Sequence, residues 1–154
     1  HIVRFLEEHP KLQVYFAPGP RIQVLSSDIL SRIFALSPIL HLNETEAREY
    51  TRRQTAKEAA QILYAKTGNA VIITLGDRGA CCKTAEKTAY IPGVKAKQTD
   101  TIGAGDSHIG AVIARLKQGA TMEEAVADAN RVAAAVVGTS GALLSDEAFL
   151  RLGV

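Results

Sequence analysis

Apolar residues along this chain occur either in short unbroken runs or with helical spacing. Residues 70–75 read A-V-I-I-T-L, and a continuous apolar run of this length is typical of a strand buried on both faces of a sheet. Shorter apolar runs at 13–17 and 39–42 are each followed by a segment with helical spacing. Strands that alternate with helices indicate a largely parallel sheet with right-handed crossovers, and therefore an α/β fold.

The predicted helices begin and end at recognisable capping signals. Thr55 with Glu58, and Thr121 with Glu124, match the T-x-x-E capping box, and Gly68 and a glycine at 138 follow as stop signals. The helices predicted from spacing and caps cover about 2–8, 27–36, a segment from 45, 55–67, 104–118 and 122–137, the last two closing the chain.

The pattern changes after residue 79. Residues 80–84 and 88–91 predict a β-hairpin, with an extension through 94–97. Residues 18–20 read P-G-P and predict a turn.

Composition limits the classes of protein to which the chain can belong. Its 154 residues are enough for one domain with a real core, and a net charge of +2 gives no basic surplus of the kind that nucleic-acid binders carry. No apolar run approaches the roughly 18 residues that span a bilayer. Cys81 and Cys82 are adjacent, which excludes a C-x-x-C motif and favours two reduced thiols. We therefore expect a cytoplasmic protein without nucleic-acid or membrane partners.

Residues 100–106 read D-T-I-G-A-G-D and lead directly into the predicted helix 104–118. The N-terminus of a helix has unpaired amides and a partial positive charge, and Gly103, Ala104 and Gly105 leave those amides open to a ligand. Asp106 in the first turn either caps the helix or accepts a proton. Amides that can cradle phosphate beside a carboxylate favour phosphoryl transfer to an alcohol.

This segment resembles the D-T-x-G-A-G-D signature of the ribokinase-like (PfkB) family of sugar and nucleoside kinases. In that family the last aspartate is the catalytic base and the glycine-rich amides form an anion hole; Asp106 and Gly103–Gly105 match those positions. The resemblance implies a three-layer αβα, Rossmann-like sheet, mostly parallel, with a hairpin in its C-terminal half. Family members are roughly double the length, so residues 1–154 are expected to be the C-terminal ATP-binding portion, without the N-terminal half and its lid.

Asn43 and Glu46 follow the apolar run 39–42 and resemble the family's N-x-x-E motif, whose side chains act on Mg²⁺ and phosphate largely through water. The same spacing is also an ordinary helix capping box. The two interpretations are compatible, because a capped helix end can hold a water-wrapped cation.

Further nucleotide contacts are implied by resemblance. Residues 74–79 read T-L-G-D-R-G and resemble the family's T-L-G-x-x-G turn, which lines the phosphates and ribose; the alternative is a plain glycine-rich turn. Asn130 matches the position that borders the adenine, although a polar residue on such a helix is more often a local surface residue. The implied nucleotide-binding residues are Thr74, Gly76, Asp77, Gly79, Thr101, Asn130 and Gly141.

The tail 136–145 resembles the family's closing loop beside a monovalent-cation site, which would bind K⁺. Its implied ligands, mostly backbone carbonyls, are Asp100, Thr101, Ile102, Val136, Thr139, Gly141 and Ser145. His108 departs from the family, which usually has an aromatic residue there. Two helical positions correspond to about 200°, so His108 is expected to point away from Asp106 and to pack in the core.

The resemblance implies an ATP- and Mg²⁺-dependent kinase that transfers the γ-phosphate to a hydroxymethyl group of a sugar or nucleoside, with Asp106 as the base. The fragment alone is expected to be inactive, and any homodimer belongs to the full-length protein. A NAD-binding Rossmann domain is the first alternative, but the third glycine and an acidic ribose ligand are missing. The second is a non-catalytic nucleotide-binding module, which would have no need of Asp106.

Overall fold

The computed structural model of the chain describes residues 1–96, 101–139 and 144–153. The helices and strands within them follow in this order: α1 Ile2–Glu8, β1 Tyr15–Phe16, α2 Ser27–Ala35, β2 Ile39–Asn43, α3 Glu44–Thr51, α4 Ala56–Thr67, β3 Val71–Thr74, β4 Gly79–Lys83, β5 Thr88–Pro92, α5 Ala104–Lys117, α6 Met122–Val137 and α7 Asp146–Leu152. Two short 3₁₀ helices lie at Gly19–Gln23 and Gly76–Arg78.

The five strands form a mixed sheet in the order β1-β2-β3-β4-β5. Strands β1, β2 and β3 are parallel neighbours, as the alternation of strands and helices predicts. Strands β4 and β5 are joined by a tight turn in which the Thr84 amide donates to the Lys87 carbonyl at 2.9 Å, which confirms the hairpin. The predicted extension of the hairpin is wrong for 94–96, which form no strand, and residue 97 lies outside the described residues.

The chain divides into two compact units. The first comprises His1–Thr74 with Cys81–Ala89, and the second comprises Leu75–Ala80 with Tyr90–Val154. In the first unit the core is formed by β2 and β3 against α4, whose Leu63 is fully buried. In the second unit α5 packs against α6 along Val112 and Val126, both fully buried.

Strand β4 is buried on both of its faces. Cys81 and Cys82 are 0% and 1% exposed, and because neighbouring strand residues point to opposite faces, both sides of the strand are covered. The two thiols are not joined in a disulfide, as their adjacency predicts.

Helix ends largely follow the predicted capping signals. Thr55 and Thr121 each form a complete capping box, and Gly68 ends α4 in the left-handed conformation that suits glycine. The prediction that two helices close the chain is wrong, because α7 follows. Its N-cap is Ser145, whose hydroxyl accepts a hydrogen bond from the Ala148 amide.

The segment before α2 also differs from its prediction. The expected strand 13–17 is reduced to Tyr15–Phe16, and the predicted turn continues into the 3₁₀ helix Gly19–Gln23. Among the described residues, no helix combines the length and apolar character needed to cross a membrane.

Candidate functional site

Two of the predicted motifs lie side by side in the first unit. Asn43 and Thr74 are register partners at the carboxyl ends of the parallel strands β2 and β3. The Thr74 hydroxyl donates to the Leu42 carbonyl at 3.4 Å, which fastens the end of β3 to β2. Open α/β sheets bind their ligands at the carboxyl ends of the strands, so these residues occupy the expected edge.

Asn43 and Glu46 form the capping box that their spacing predicts. The Asn43 side-chain oxygen accepts from the Glu46 amide at 2.8 Å, and Glu46 Oε2 accepts from the Asn43 amide at 3.0 Å. This leaves Glu46 Oε1 outside the cap. The backbone of Gly19 lies beside that oxygen, since a Cβ atom on Gly19 would be 3.9 Å away from it. Sequence reasoning did not place Gly19 next to Glu46.

The donor set at this strand end fits one kind of metal ion. No group of three or more His, Cys, Asp or Glu residues arranged to hold a metal occurs in the part of the chain that the structure describes. Mg²⁺ keeps several waters and takes only one or two protein carboxylates. One carboxylate oxygen of half-buried Glu46, next to exposed Asn43, therefore suits a hydrated Mg²⁺ and does not suit a fully protein-coordinated metal.

The Gly76–Arg78 turn begins the second unit and is closed by a 2.7 Å hydrogen bond from the Leu75 amide to the Gly79 carbonyl. Gly76 and Gly79 both have positive φ angles, 66° and 96°, which explains glycine at both positions. Gly79 also lies against the end of β5 and the residue after it, because a Cβ on it would overlap Ile91 and Gly93. Gly93 is thus a structural partner of this turn that sequence reasoning missed. Asp77 is exposed.

The start of α5 leaves two amide groups available. Gly103 is the N-cap with a φ of 77° and makes no side-chain cap. The Ala104 amide donates to the Thr101 carbonyl at 3.3 Å. Within the described residues, the amides of Gly105 and Asp106 donate to no backbone carbonyl. A pair of unpaired amides at a helix N-terminus is suited to bind an anion.

Asp106 lies in the first turn of α5 and its side chain is exposed. It makes no hydrogen bond or ion pair with any residue that the structure describes, so it is not acting as a side-chain cap. A carboxylate at this position is stabilised by the helix dipole and remains accessible to a substrate hydroxyl.

No contact with the described residues requires glycine at position 105. A Cβ atom built on it meets nothing within 4 Å among the described residues, and its φ is not positive. Glycine in a helix costs about 0.5–1 kcal/mol relative to alanine. Among the described residues, therefore, no packing contact and no backbone angle accounts for glycine at this position.

His108 and Asn130 form a buried hydrogen-bonded pair between α5 and α6. His108 Nε2 lies 3.1 Å from Asn130 Oδ1. The side-chain nitrogen Nδ2 of Asn130 donates to the carbonyl of Pro92 at 3.0 Å and to that of Ile91 at 3.4 Å. Because an amide oxygen only accepts, His108 Nε2 carries the proton. Burial lowers the pKa of His108 to about 4, against a smaller opposite effect of the Asn130 hydrogen bond, so the imidazole is neutral.

This pair confirms the expectation for His108 and excludes one of the two interpretations of Asn130. His108 is 2% exposed and packs in the core, as its helical position predicts. Asn130 is 6% exposed, so the alternative of a surface residue is wrong. The signal in the sequence was the position of His108 four residues before buried Val112, on the same face of α5.

The residues of the implied monovalent-cation site are only partly described. Asp100 and Gly141 lie outside the described residues. The Val136 carbonyl accepts hydrogen bonds from the Thr139 amide and hydroxyl at 3.0 and 2.8 Å. The Ser145 hydroxyl caps α7, and Ile102 is exposed.

Comparison with known proteins decides the family. The sequence profile of the pfkB family carbohydrate kinases matches residues 13–148. The chain belongs to the pfkB family. YegV, an uncharacterized sugar kinase of Escherichia coli K12, is a relative that is 34% identical over 144 residues, which cover 91% of this chain and 45% of that protein.

Solved structures agree with this assignment. The ribokinase of Thermotoga maritima superimposes with a TM-score of 0.79 at 28% identity, over 91% of this chain and 48% of that one. The aminoimidazole riboside kinase of Salmonella enterica, solved with aminoimidazole riboside and an ATP analog, gives a TM-score of 0.70 at 25% identity, over 82% and 46% of the two chains. The chain thus has the ribokinase fold and spans about half the length of the pfkB relatives that it matches.

Proposed function

We propose that this chain is the ATP-binding portion of a kinase that transfers the γ-phosphate of ATP to a hydroxymethyl group of a sugar or nucleoside. The observation that carries the proposal is the start of α5, where an exposed Asp106 carboxylate follows a glycine that no contact among the described residues requires. Unpaired amides and a carboxylate in one helical turn are the groups that phosphoryl transfer to an alcohol needs.

In this mechanism Asp106 accepts the proton of the acceptor hydroxyl as its oxygen attacks the γ-phosphorus. The bond from that phosphorus to the bridging oxygen breaks, and ADP leaves. Because the Ala104 amide already donates to Thr101, the charge on the transferred group is stabilised chiefly by the amides of Gly105 and Asp106. Gly103 contributes the left-handed cap that starts the helix at this point.

Each remaining site residue has a proposed role. Asn43 and Glu46 hold Mg²⁺ through water, and the metal neutralises phosphate charge when bound. The nucleotide is lined by Thr74, Gly76, Asp77, Gly79, Thr101, Asn130 and Gly141. A monovalent cation, K⁺, is proposed at the carbonyls of Asp100, Thr101, Ile102, Val136, Thr139 and Gly141 with Ser145.

The relatives support the class of substrate. They are named as sugar, ribose or riboside kinases, and one was solved with an ATP analog. Because the chain spans about half of their length, we propose that the acceptor site is completed by the rest of a longer protein. The fragment alone is then inactive, any homodimer forms through the remaining part, and the protein works in the cytoplasm.

The test is Asp106→Asn in the full-length protein, assayed for phosphate transfer from ATP to a panel of hydroxymethyl sugars and nucleosides. We expect kcat to fall by about 10²–10⁴ while ATP still binds, since a positioned general base contributes that factor. Asp28→Asn is the matched control, because Asp28 is also an exposed acid in a first helical turn. Near-wild-type turnover of Asp106→Asn would contradict the assigned role.

A further inference from the structure

The second unit contains a continuous chain of contacts from the helix that carries Asp106 to the Gly76–Gly79 turn. From these contacts we propose that His108 and Asn130 are positioning residues that hold the start of α5 and this turn in one fixed relation. The inference rests on the proposed function, in which both segments face the nucleotide.

The first link joins α5 to α6. His108 follows Asp106 by two residues, and its Nε2–H donates to Asn130 Oδ1 at 3.1 Å. Both side chains are buried, so water does not compete for this hydrogen bond. A rotation or shift of the first turn of α5 would therefore stretch the bond.

The second link joins α6 to the end of β5 and from there to the turn. The side-chain nitrogen Nδ2 of Asn130 donates to the carbonyls of Ile91 and Pro92. The next residue, Gly93, is in backbone contact with Gly79 and with Asp77. Asn130 thus uses its oxygen toward α5 and its amide nitrogen toward β5, and the segment that it holds at β5 packs on the turn.

The polar character of the pair is not explained by packing. Neighbouring buried positions on the same helices are apolar, among them Val112 on α5 and Val126 on α6. A buried polar group is costly unless it is hydrogen-bonded, and a hydrogen bond, unlike an apolar contact, fixes direction. The pair therefore contributes a defined orientation that an apolar pair would not.

Two substitutions of His108 in the full-length kinase separate positioning from packing. His108→Phe keeps a ring of similar size but removes the donor, whereas His108→Gln keeps a donor but not the ring. If His108 is a positioning residue, His108→Phe lowers kcat/KM for ATP about ten-fold and leaves KM for the acceptor unchanged, because displacements of about 1 Å carry costs of this order or more. His108→Gln, which keeps a donor, then retains most of the wild-type kcat/KM. If His108 acted only by packing, His108→Gln would be impaired more than His108→Phe, and that result would overturn the proposal.

A double variant, His108→Phe with Asn130→Leu, guards against misfolding. Replacing both partners by apolar groups leaves no unpaired polar side chain between them, and the protein is expected to fold although the Ile91 and Pro92 carbonyls lose a donor. We expect the double variant to be at least as impaired as His108→Phe alone, because it removes the bond to His108 and also the Asn130 side-chain donor to Ile91 and Pro92. Recovery of wild-type kinetics in the double variant would show that only packing matters.

Amide hydrogen exchange provides a readout that does not depend on activity. We expect His108→Phe, and not His108→Gln, to speed exchange in both 76–79 and 103–107. If the wild-type protein transfers no phosphate but exchange changes in both segments, the proposed function fails and the link stands. If the wild-type protein is active and His108→Phe changes neither exchange nor kinetics, the link fails and the proposed function stands.

Discussion

The backbones of Gly79 and Gly93 are in direct contact, so that a Cβ atom on Gly93 would lie only 2.6 Å from the Gly79 nitrogen. The constraint is mutual, because a Cβ on Gly79 would overlap the Gly93 backbone. Backbone atoms cannot move aside as the end of a flexible side chain can. The turn before β4 and the segment after β5 are therefore fitted to each other without room for any side chain.

Gly93→Ala is expected to be strongly destabilising. The added methyl group meets the Asp77 carbonyl as well as the Gly79 nitrogen, and overpacking of this kind typically costs about 1–3 kcal/mol or more. Urea unfolding of the full-length protein measures the loss. Gly110→Ala is the control, because its Cβ meets nothing among the described residues within 4 Å and alanine favours the helix. Equal stability of the two variants would contradict the close contact.

Gly105→Ala is expected to separate stability from function. Its Cβ meets nothing among the described residues within 4 Å, so alanine should raise the free energy of unfolding by up to about 1 kcal/mol. The methyl group would obstruct the amides that we assign to phosphate, so KM for ATP should rise. Gly110→Ala, on the same helix, should gain similar stability with unchanged KM. An unaltered KM in Gly105→Ala would argue against phosphate approach at this turn.

The three capping boxes found in the described part of the chain allow a matched test of the magnesium role. Asn43→Ala and Thr55→Ala each remove an N-cap of the same geometry, and each should cost about 1 kcal/mol. Only the Asn43 variant should require more Mg²⁺ for half-maximal activity. Glu46→Gln keeps the cap but removes the charge, with Glu58→Gln as its control. If both glutamine variants respond equally to Mg²⁺, Glu46 has no part in metal binding.

His108 should make stability depend on pH between about 6.5 and 4. Burial lowers its pKa from 6.5 to about 4, so on acidification the unfolded chain binds the proton first. The stability that the buried neutral imidazole contributes to the folded state is complete above about pH 6.5 and declines as the pH falls toward 4. The total loss of unfolding free energy is about 3 kcal/mol. Urea unfolding at pH 7 and pH 4.5 should show a shallower pH dependence in His108→Phe. An identical dependence in both proteins would mean that His108 is not buried neutral.

The sequence predicted well those structural features that depend on residues within one or two turns of each other. Helix α6 spans the predicted residues 122–137, and the capping boxes at Thr55 and Thr121 are present, because a cap satisfies amides within one turn. The D-T-x-G-A-G-D resemblance led to the correct family. Helix α7 was missed because its N-cap, Ser145, lies in the tail 136–145, which the resemblance assigns to a closing loop.

Contacts between distant residues could not be predicted in this way. Asn130 meets His108 and Ile91 from 22 and 39 residues away, and a polar residue among alanines gives no sign of its partners. Gly93 was overlooked for the same reason, since its φ is not positive and glycine is required there only by its contacts with Asp77 and Gly79. At the candidate site, the sequence therefore predicts the chemical groups, and the structure shows which residues contact them.

The two cysteines on β4 have a practical consequence. They are the only cysteines in the chain, and they are buried on opposite faces of one strand. A thiol-specific alkylating reagent can reach either sulfur only when the corresponding side of the sheet opens. The relative labelling rates of the two positions, resolved by peptide mass spectrometry, therefore report which side is uncovered first as the protein unfolds.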